Sequence, residues 1–325
     1  MKSRTLLSLC AVLATLAAAP AHAQSYPTHP VTILVPFGAG GGSDLLARLV
    51  AQQLEQRLHQ PFVIENRPGA ATTIAALAAV RATPDGTTLM QATSSTMAIN
   101  VTMYKKLAYE PLKDLVPVAL LSSSPFFLVV KPTFPAKSVA ELVELAKKNP
   151  NELNYGSGGP GSMHHLSTEL MLNLTGTKMT HVPYKGTPPA MNDLLGGSIQ
   201  VLFGDSTTLL PAIRAGTVRA LAVSTATRSE AAPEIPTMAE AGVAGFESAS
   251  WQMLVAPGGT PPEVISLLNR EVRAIFSDPS VTKELSHRGV GPRVTGSPEQ
   301  LRKFVQDEIV RWADIVRRAG VAGRL

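Results

Sequence analysis

The sequence predicts an α/β fold in which helices pack on mostly parallel sheets. Short apolar segments alternate with longer amphipathic ones, the order expected of a doubly wound sheet. A strand, a glycine loop and a helix follow one another twice, the second time about 120 residues after the first. Hydrophobic residues make up 45% of the chain and aromatic residues only 5%, which suits this class. The length of 325 residues favours about two domains.

The first of these motifs lies at residues 31–58. Residues 31–35 are apolar or β-branched, as a buried parallel strand requires. Gly38, Gly40, Gly41 and Gly42 follow, and without Cβ atoms their backbone N–H groups can approach a ligand. Ser43 is the predicted N-cap of a helix that continues to about Leu58. A strand, a glycine loop and a helix N-terminus form an anion site, although a tight turn alone would use the same glycines.

Residues 1–23 predict a signal peptide rather than part of the fold. Lys2 and Arg4 form a basic start, residues 6–16 are apolar, and Ala21-His22-Ala23 fits a small-x-small cleavage site. The apolar run is too short to span a membrane. Cleavage after Ala23 would also remove Cys10, the one cysteine of the sequence, so the mature protein would need no disulfide.

The alternation of strands and helices continues along the chain. Further strands are predicted at residues 61–65, 87–92, 125–131, 153–156, 179–182, 199–203, 218–224 and 251–256. Thr93-Ser94-Ser95-Thr96 is a hydroxyl cluster that opens a helix, and Ser138 caps another helix that ends at Lys148. Residues 157–162 repeat the glycine loop of the first motif between a strand and a helix.

The change of pattern near Leu120 and the apolar strand after it predict an inserted domain. Residues 24–124 and 226–325 would form lobe 1 and residues 125–225 lobe 2, with crossings near Ser124 and after Val223. The end of the chain is helical, because Thr260-Pro261, Asp278-Pro279 and Ser297-Pro298 each place an N-cap residue before proline. The final helix presents one apolar face, formed by Leu301, Phe304, Val305, Ile309, Trp312 and Val316.

Charge and composition argue against nucleic acid and in favour of a small anion. Without Lys2 and Arg4, 27 basic residues stand against 24 acidic ones, a net charge of +3. The basic residues are scattered, whereas nucleic-acid binding requires a basic stripe with aromatic partners. Neither glycine loop contains Lys or Arg. The donors would therefore be backbone N–H groups and serine hydroxyls, which favours small carboxylates or partly neutral ligands.

Motifs for nucleotide binding and catalysis are incomplete. Gly38-x-Gly40 follows a strand and Glu65 ends the next one, but Ser43 stands where a dinucleotide-binding loop has its third glycine. No Gly-Lys-Ser/Thr follows the glycines, which excludes a phosphate-binding P-loop. No serine lies in a Gly-x-Ser-x-Gly elbow. We expect no enzyme and no cofactor, with dinucleotide binding as a weaker alternative.

Histidines and one aspartate are further candidates. His164, His165 and His181 lack acidic or cysteine partners at a metal-binding spacing, so we expect no metal site. His165, at a helix start, would donate to a ligand or cap the helix. Asp205 follows the strand that ends at Phe203. It would contact an amine or hydroxyl of the ligand or, as readily, cap the next helix.

Taken together, these motifs resemble the extracytoplasmic solute receptors of tripartite tricarboxylate transporters, the Bug-type receptors. The resemblance extends from Tyr26 to about Val321. The motifs that carry it are Val35-Pro-Phe-x-x-Gly-Gly-x-x-Asp44, Glu65-Asn-Arg-Pro-Gly-Ala70, Pro84-Asp-Gly86, Ala136-Lys-Ser138, Leu153-Asn-Tyr155, His181-Val-Pro-Tyr-Lys-Gly186, Asp193-Leu-Leu-Gly-Gly197, Pro236-Thr-Met-Ala-Glu-Ala-Gly242 and Ala256-Pro-Gly-Gly-Thr-Pro261.

The resemblance implies a two-lobed periplasmic binding protein of type II-like fold, hinged by two crossing strands. In the family, the glycine loops of both lobes hold ligand carboxylates, partly through ordered water. With Asp205 added, the predicted ligand-binding residues are Phe37, Gly38, Ala39, Gly40, Gly41, Gly42, Ser43, Thr93, Ser94, Ser95, Ser157, Gly158, Gly159, Gly161, Ser162, His165, Tyr184 and Asp205. One departure is Phe203-Gly204-Asp205, where family members often have Phe-Asp-Asn.

The resemblance also implies a function and partners. The chain would capture a di- or tricarboxylate, or a related organic acid, in the periplasm and deliver it to the membrane subunits of a tripartite transporter. We expect a monomer that binds no metal, cofactor or nucleic acid. The alternatives are a ligand sensor that feeds a signalling system, a secreted enzyme and a dinucleotide-binding protein.

Overall fold

The computed structural model of the chain describes residues 26–287, 290 and 296–325, so the predicted signal peptide lies outside the described residues. The strands are β1 (Val31–Val35), β2 (Phe62–Asn66), β3 (Thr88–Thr93), β4 (Leu115–Ser124), β5 (Phe126–Val130), β6 (Asn154–Ser157), β7 (Thr180–Pro183), β8 (Val201–Asp205), β9 (Arg219–Val223) and β10 (Ser250–Pro257). The helices are α1 (Gly42–Leu58), α2 (Thr73–Val80), α3 (Asn100–Met103), α4 (Pro111–Asp114), α5 (Val139–Lys148), α6 (Met163–Thr175), α7 (Thr187–Gly196), α8 (Ser206–Arg214), α9 (Pro262–Phe276), α10 (Pro279–His287) and α11 (Pro298–Arg318). A 3-10 turn (Ala70–Thr72) precedes α2, and a π-helical turn (Ser95–Ile99) precedes α3.

Two five-stranded sheets form the centres of two lobes, with strand orders β2-β1-β3-β10-β4 and β7-β6-β8-β5-β9. In the first sheet β1 is parallel to β2 and β3, whereas β10 is antiparallel to β3 and β4. The second sheet repeats this plan, with β5 antiparallel to β8 and β9. Among the described strands, each sheet is therefore mostly parallel with one reversed strand. The predicted two-lobed α/β fold class is confirmed.

The reversed strand in each sheet is the one that arrives from the other lobe. β4 continues through Pro125 into β5, and the chain returns from β9 to β10 by residues 224–249. The two crossings lie side by side, because Ser224 N donates to Phe126 O at 2.9 Å and Ser248 N donates to Ser224 O at 2.8 Å. The lobe boundaries at residues 124/125 and 225/226 stay predictions.

The apolar strands require helices on both faces of a sheet. Val31 and Ile33 of β1 are buried in one core cluster with the apolar stripes of α1 and α9. Leu34 is buried in a different cluster with the alanines of α2. Successive strand side chains point to opposite faces, so a continuous apolar strand is stable only between two helical layers.

β4 is the strand that the sequence analysis missed. It contains Pro117 and lies at the edge of its sheet. An edge strand tolerates proline because one side of it needs no ladder hydrogen bond. The sequence showed only a change of pattern near Leu120 at this place.

Two predicted helix starts are wrong by a short distance. The N-cap of α1 is Gly41 rather than Ser43, and the N-cap of α9 is Pro261 rather than Thr260. The predicted caps Ser138 and Ser297 are confirmed, since their side chains accept from the backbone of Glu141 and Gln300. The error at α1 matters for the site, because a glycine cap leaves the first N–H groups of the helix without a side-chain acceptor.

The final helix, α11, buries most of its predicted face. Leu301, Val305, Trp312 and Val316 are buried, whereas Phe304 and Ile309 are only partly buried. The stripe also contains a buried carboxylate that the pattern did not predict: Glu308 accepts from Trp251 Nε1 at 2.5 Å and from Trp312 Nε1 at 2.9 Å. Within the described residues, none of the helices has both the length and the apolar character needed to cross a membrane.

Candidate functional site

A cleft lies between the carboxyl ends of the strands of the two sheets, where open α/β sheets bind ligands. The lobes touch across this cleft. Gly38 N donates to Lys185 O at 3.0 Å, and Ser95 Oγ donates to Gly161 O at 3.1 Å. The described conformation is thus a closed one, with direct hydrogen bonds from lobe to lobe.

The ring of Phe37 contributes to two chambers of the cleft. The first chamber is lined by Phe37, Gly38, Gly41, Gly42, Ser43, Thr93, Ser95, Phe126, Met163, His164, Gly186, Thr187, Asp205, Thr207, Ser250 and Gln252. The second chamber is lined by Pro36, Phe37, Pro68, Gly69, Ala70, Ala71, Thr72, Gly158, Gly159, Pro160, Ser162, Pro183, Tyr184 and Lys185.

The predicted ligand-binding residues fall into three groups, which line the first chamber, the second chamber or neither. The first chamber receives Phe37, Gly38, Gly41, Gly42, Ser43, Thr93, Ser95 and Asp205. The second chamber receives Phe37, Gly158, Gly159, Ser162 and Tyr184. Ala39, Gly40, Ser94, Ser157, Gly161 and His165 line neither chamber. Their role as ligand contacts stays a prediction.

Eight lining residues of the first chamber were not predicted: Phe126, Met163, His164, Gly186, Thr187, Thr207, Ser250 and Gln252. Some of them had a signal in the sequence. Thr207 lies in the first turn of α8, directly after β8, and Thr187 begins α7 after a three-residue loop that follows β7. Gln252 is a polar residue within an apolar strand. Gln252 is 8% exposed, and its Oε1 accepts a hydrogen bond from the buried Gln91 Nε2 of the neighbouring strand.

Helix N-termini surround the first chamber. α1 contributes Gly42 and Ser43, α6 contributes Met163 and His164, and α8 contributes Thr207. α7 contributes Thr187, although Pro188 and Pro189 behind it have no N–H group to offer. Among the described residues that line this chamber there is no Lys or Arg. The groups at this chamber that can attract an anion are therefore N–H groups and helix dipoles, whereas Asp205 is the one carboxylate among its described lining residues.

Asp44 shapes the first glycine loop from behind. It is 2% exposed and accepts from Gly40 N at 2.9 Å, Arg48 Nε at 2.9 Å and Asn66 Nδ2 at 3.0 Å. Asn66 Nδ2 also donates to Phe37 O at 2.9 Å. Burial alone would raise the pKa of Asp44, but the hydrogen bonds from Arg48, Gly40 and Asn66 hold it below the usual range. The ionised carboxylate thus keeps the loop folded.

The second glycine loop is held from behind by other side chains. Ser157 Oγ accepts from Gly159 N at 2.9 Å and is hydrogen-bonded to His181 Nε2 at 2.5 Å. His165 Nδ1 accepts from Gly161 N at 3.2 Å. The N–H groups of both glycines are therefore used inside lobe 2. Met163 and His164, in the first turn of α6 just after this loop, line the first chamber.

An aromatic stack supports this loop. The rings of Tyr155 and His181 are 4.9 Å apart, and those of His165 and His181 are 4.5 Å apart. Burial, assisted by the charge of Arg324, lowers the pKa of His165 to about 4. Burial also lowers the pKa of His181 to about 4, with a contribution from His165. Both rings are therefore neutral near pH 7 and serve as hydrogen-bond partners of the loop.

Asp205 is the N-cap of α8 and also lines the first chamber. Its contact with a ligand stays a prediction. Its Oδ1 accepts from Thr208 N and from Thr208 Oγ1, each at 2.9 Å. Its Oδ2 accepts from Thr187 Oγ1, which is 2.9 Å from His164 Nε2. Gly42 of lobe 1 lies against this carboxylate: an added Cβ there would be 2.5 Å from Asp205 Oδ1.

In the described part of the chain, no group of three or more His, Cys, Asp or Glu side chains is arranged to hold a metal ion. The His165, His181 and Glu169 side chains lie together, but His165 Nε2 is 4.0 Å from Glu169 Oε1, which instead accepts from Tyr155 Oη at 2.6 Å.

Comparison with known proteins identifies relatives over almost the whole chain. The model of the tripartite tricarboxylate transporter family receptor matches residues 46–321. Protein BugT of Bordetella pertussis is 38% identical over 304 residues, which cover 93% of each chain.

Solved structures share the fold. Rpa4515 of R. palustris, determined with adipate, is 40% identical with a TM-score of 0.87, covering 91% of this chain and 99% of that one. MatC (Rpa3494) of Rhodopseudomonas palustris, with bound malate, is 35% identical with a TM-score of 0.85, covering 90% of this chain and 100% of that one.

Proposed function

Because the chain belongs to the tripartite tricarboxylate transporter receptor family, we propose that it captures a small carboxylate in the first chamber. The solved members include a periplasmic binding protein, and those described above were determined with adipate and malate. In our proposal this chain binds a di- or tricarboxylate or a related organic acid between its lobes.

One observation carries the proposal. The first chamber is surrounded by the N-termini of α1, α6, α7 and α8, and among its described lining residues there is no Lys or Arg. Backbone N–H groups with aligned helix dipoles bind carboxylates without a cationic side chain. Phe37, Phe126 and Met163 add apolar surface, which suits the carbon chain of an organic acid.

The cellular role follows from the family and from the predicted signal peptide. We propose a monomeric receptor in the periplasm, without catalytic activity or cofactor, that presents its ligand to the membrane subunits of a tripartite transporter. A receptor retained for sensing is the alternative. Both roles need the same closed, loaded form, so deletion of neighbouring membrane-subunit genes, followed by uptake assays, would separate them.

Ligand binding is tested by thermal unfolding and calorimetry of the mature protein. A ligand that binds only the native state at a hundred times its Kd adds ~2.7 kcal/mol, a clear shift in Tm. We expect shifts with members of a panel containing citrate, C4 to C6 dicarboxylates, acidic amino acids and aromatic monocarboxylates, and none with neutral sugars. A response to sugars alone would contradict the proposal.

Closure about the two crossings between β4–β5 and β9–β10 accompanies binding in this proposal. We expect the radius of gyration to fall on ligand addition, because the hydrogen bonds from Gly38 to Lys185 and from Ser95 to Gly161 form only when the lobes meet. Small-angle scattering that is unchanged at saturating ligand would argue for a preformed site.

A further inference from the structure

We infer that the first chamber selects acids that carry a hydroxyl or ammonium group next to a carboxylate, and that Asp205 is the residue that selects them. This inference rests on the proposed function and narrows its ligand class. It depends on three side chains of lobe 2 that form one hydrogen-bonded series: Asp205, Thr187 and His164.

The positions of the protons in this series follow from its geometry. Thr187 Oγ1 donates to Asp205 Oδ2, so the hydroxyl proton of Thr187 is used in this bond. Thr187 Oγ1 then has only lone pairs for His164, and His164 Nε2, 2.9 Å away, must donate to it. A neutral imidazole with its proton on Nε2 leaves Nδ1 as an acceptor. Burial favours this neutral ring by lowering the pKa of His164, against the charge of Asp205.

Acceptors in the series are left without donors. Asp205 Oδ1 accepts twice from Thr208, but in the described part of the chain Oδ2 accepts only from Thr187. A carboxylate oxygen can accept about two hydrogen bonds, so one position on Oδ2 remains. His164 is 5% exposed, and its Nδ1 has no hydrogen-bond partner among the described residues. Nδ1 lies against Gly158 of the second chamber, where an added Cβ would be 2.9 Å from it, so the acceptor left for a ligand in the first chamber is Asp205 Oδ2. A ligand that carries only carboxylates brings no donor to this oxygen.

The location of Asp205 decides where the ligand's donor must be. Asp205 Oδ1 lies against Gly42, the first residue of α1, whose N-terminus is the proposed site of the ligand carboxylate. A fixed negative charge beside that site repels an acid with nothing but carboxylates. A hydroxyl or ammonium on the adjacent carbon would instead stand between the two negative groups and donate to Asp205.

Matched trios of acids test this inference. Calorimetry would compare succinate with malate and aspartate, and glutarate with 2-hydroxyglutarate and glutamate. In at least one trio we expect a substituted acid to bind at least about tenfold more tightly than its parent, as expected for a hydrogen bond to a charged group. Within each trio, comparison of the hydroxy acid with the amino acid shows which donor is preferred.

The Asp205→Asn variant locates the effect. Asparagine is as good an N-cap as aspartate, so α8 keeps its start, but the charge is lost. We expect the preference to fall to within about twofold of the parent acid. Thr187→Val, which removes the hydroxyl that orients Asp205, should reduce the preference as well. Asp278→Asn is the matched control: Asp278 stands just before α10 and accepts from Ser280 N at 2.8 Å, outside both chambers.

The outcomes separate this inference from the proposed function. Parent acids bound as tightly as their substituted partners would overturn the inference and leave a carboxylate receptor. An unchanged preference in both Asp205→Asn and Thr187→Val, with Tm showing folded variants, would overturn the role of Asp205. Binding of none of these acids, nor of citrate or adipate, would overturn both.

Discussion

The two glycine loops share a sequence pattern, strand then glycines then helix, but differ in which N–H groups they leave available. In the first loop Gly38 donates to Lys185 O of lobe 2 and Gly40 donates to Asp44, but the glycine N-cap leaves the first turn of α1 without a side-chain acceptor. In the second loop Gly159 and Gly161 donate to Ser157 and His165 inside lobe 2.

This difference shows what a glycine loop does and does not specify. Because glycine has no side chain, the backbone of such a loop can approach a ligand closely. The neighbours of the loop then decide which amides remain for the ligand. We therefore expect the first loop to contribute directly to binding and the second loop to contribute mainly by placing the first turn of α6.

The largest loss of affinity for a carboxylate is expected from Gly42→Ala. Its Cβ would be 2.5 Å from Asp205 Oδ1 and 3.1 Å from Thr207 Oγ1, and Asp205 is held in place by three hydrogen bonds from Thr187 and Thr208. Such overpacking costs about 1–3 kcal/mol, so the affinity for a carboxylate should fall about 10- to 100-fold in calorimetry. Gly196→Ala is the control, since Gly196 lines neither chamber and its Cβ would have no neighbour within 4 Å. Equal loss in both variants would contradict the packing argument.

Asp44→Ala tests the support of the first loop. Removal of an ionised acceptor with three donors should lower the free energy of unfolding by about 2 kcal/mol. Since its pKa in the folded protein lies below the usual aspartate range, the stabilisation is present above that range and is lost as pH falls through the folded-state pKa. Urea unfolding at pH 7 and below pH 4 should therefore differ less in Asp44→Ala than in the wild type.

The stability of the second loop should begin to fall at a higher pH than that of the first loop. Burial depresses the pKa of His165 and of His181 to about 4. The unfolded chain then binds more protons than the folded one between about pH 6.5 and 4, so stability falls as pH is lowered through this window. Protection of the Gly159 and Gly161 amides against hydrogen exchange should fall over the same interval, while that of Gly40 persists. A His165→Gln variant should weaken this dependence; an unaltered one would refute the role of the ring.

The smallest effect is expected from Ser162→Ala. Ser162 Oγ donates to Gly159 O at 2.7 Å and caps α6 by accepting from His165 N at 3.4 Å. Loss of this cap should cost about 1 kcal/mol of stability and slightly weaken ligand binding. Ser138→Ala removes a similar cap from α5, away from the cleft, and should lower Tm alone. Reduced affinity in Ser138→Ala would show that binding merely follows global stability.

The sequence predicted those strands, helix caps and helix faces that depend on residues close together in the chain. The apolar run of β1, the caps Ser138 and Ser297, and the stripe of α11 each depend on neighbours a few residues apart. The strand β4 was not predicted, because proline in a strand is acceptable only at an edge. Edge position is a property of the assembled sheet.

The candidate site was predicted as two loops, and the structure makes it one cleft with additional walls. His164, Thr187 and Gln252 line the first chamber, yet they come from α6, α7 and β10. Polar residues at such positions have many structural roles, so their type alone did not mark them as part of a site. His165, which the sequence predicted as a ligand donor or a cap, accepts from the loop backbone, and its contact with a ligand stays a prediction.

By itself, the sequence determined the order of strands and helices, the places where glycine allows close backbone approach, and the absence of Lys and Arg from both loops. These properties follow from residue types and short spacings. The tertiary structure decided which amides are used internally, which helix N-termini meet at the first chamber, and that Asp205 of lobe 2 lies against Gly42 of lobe 1. The internal bonds of the second loop join residues two and four positions apart, but their pattern depends on how the loop folds. The contact of Asp205 with Gly42 joins residues more than a hundred positions apart, and it exists only once the two sheets have formed and the lobes have closed.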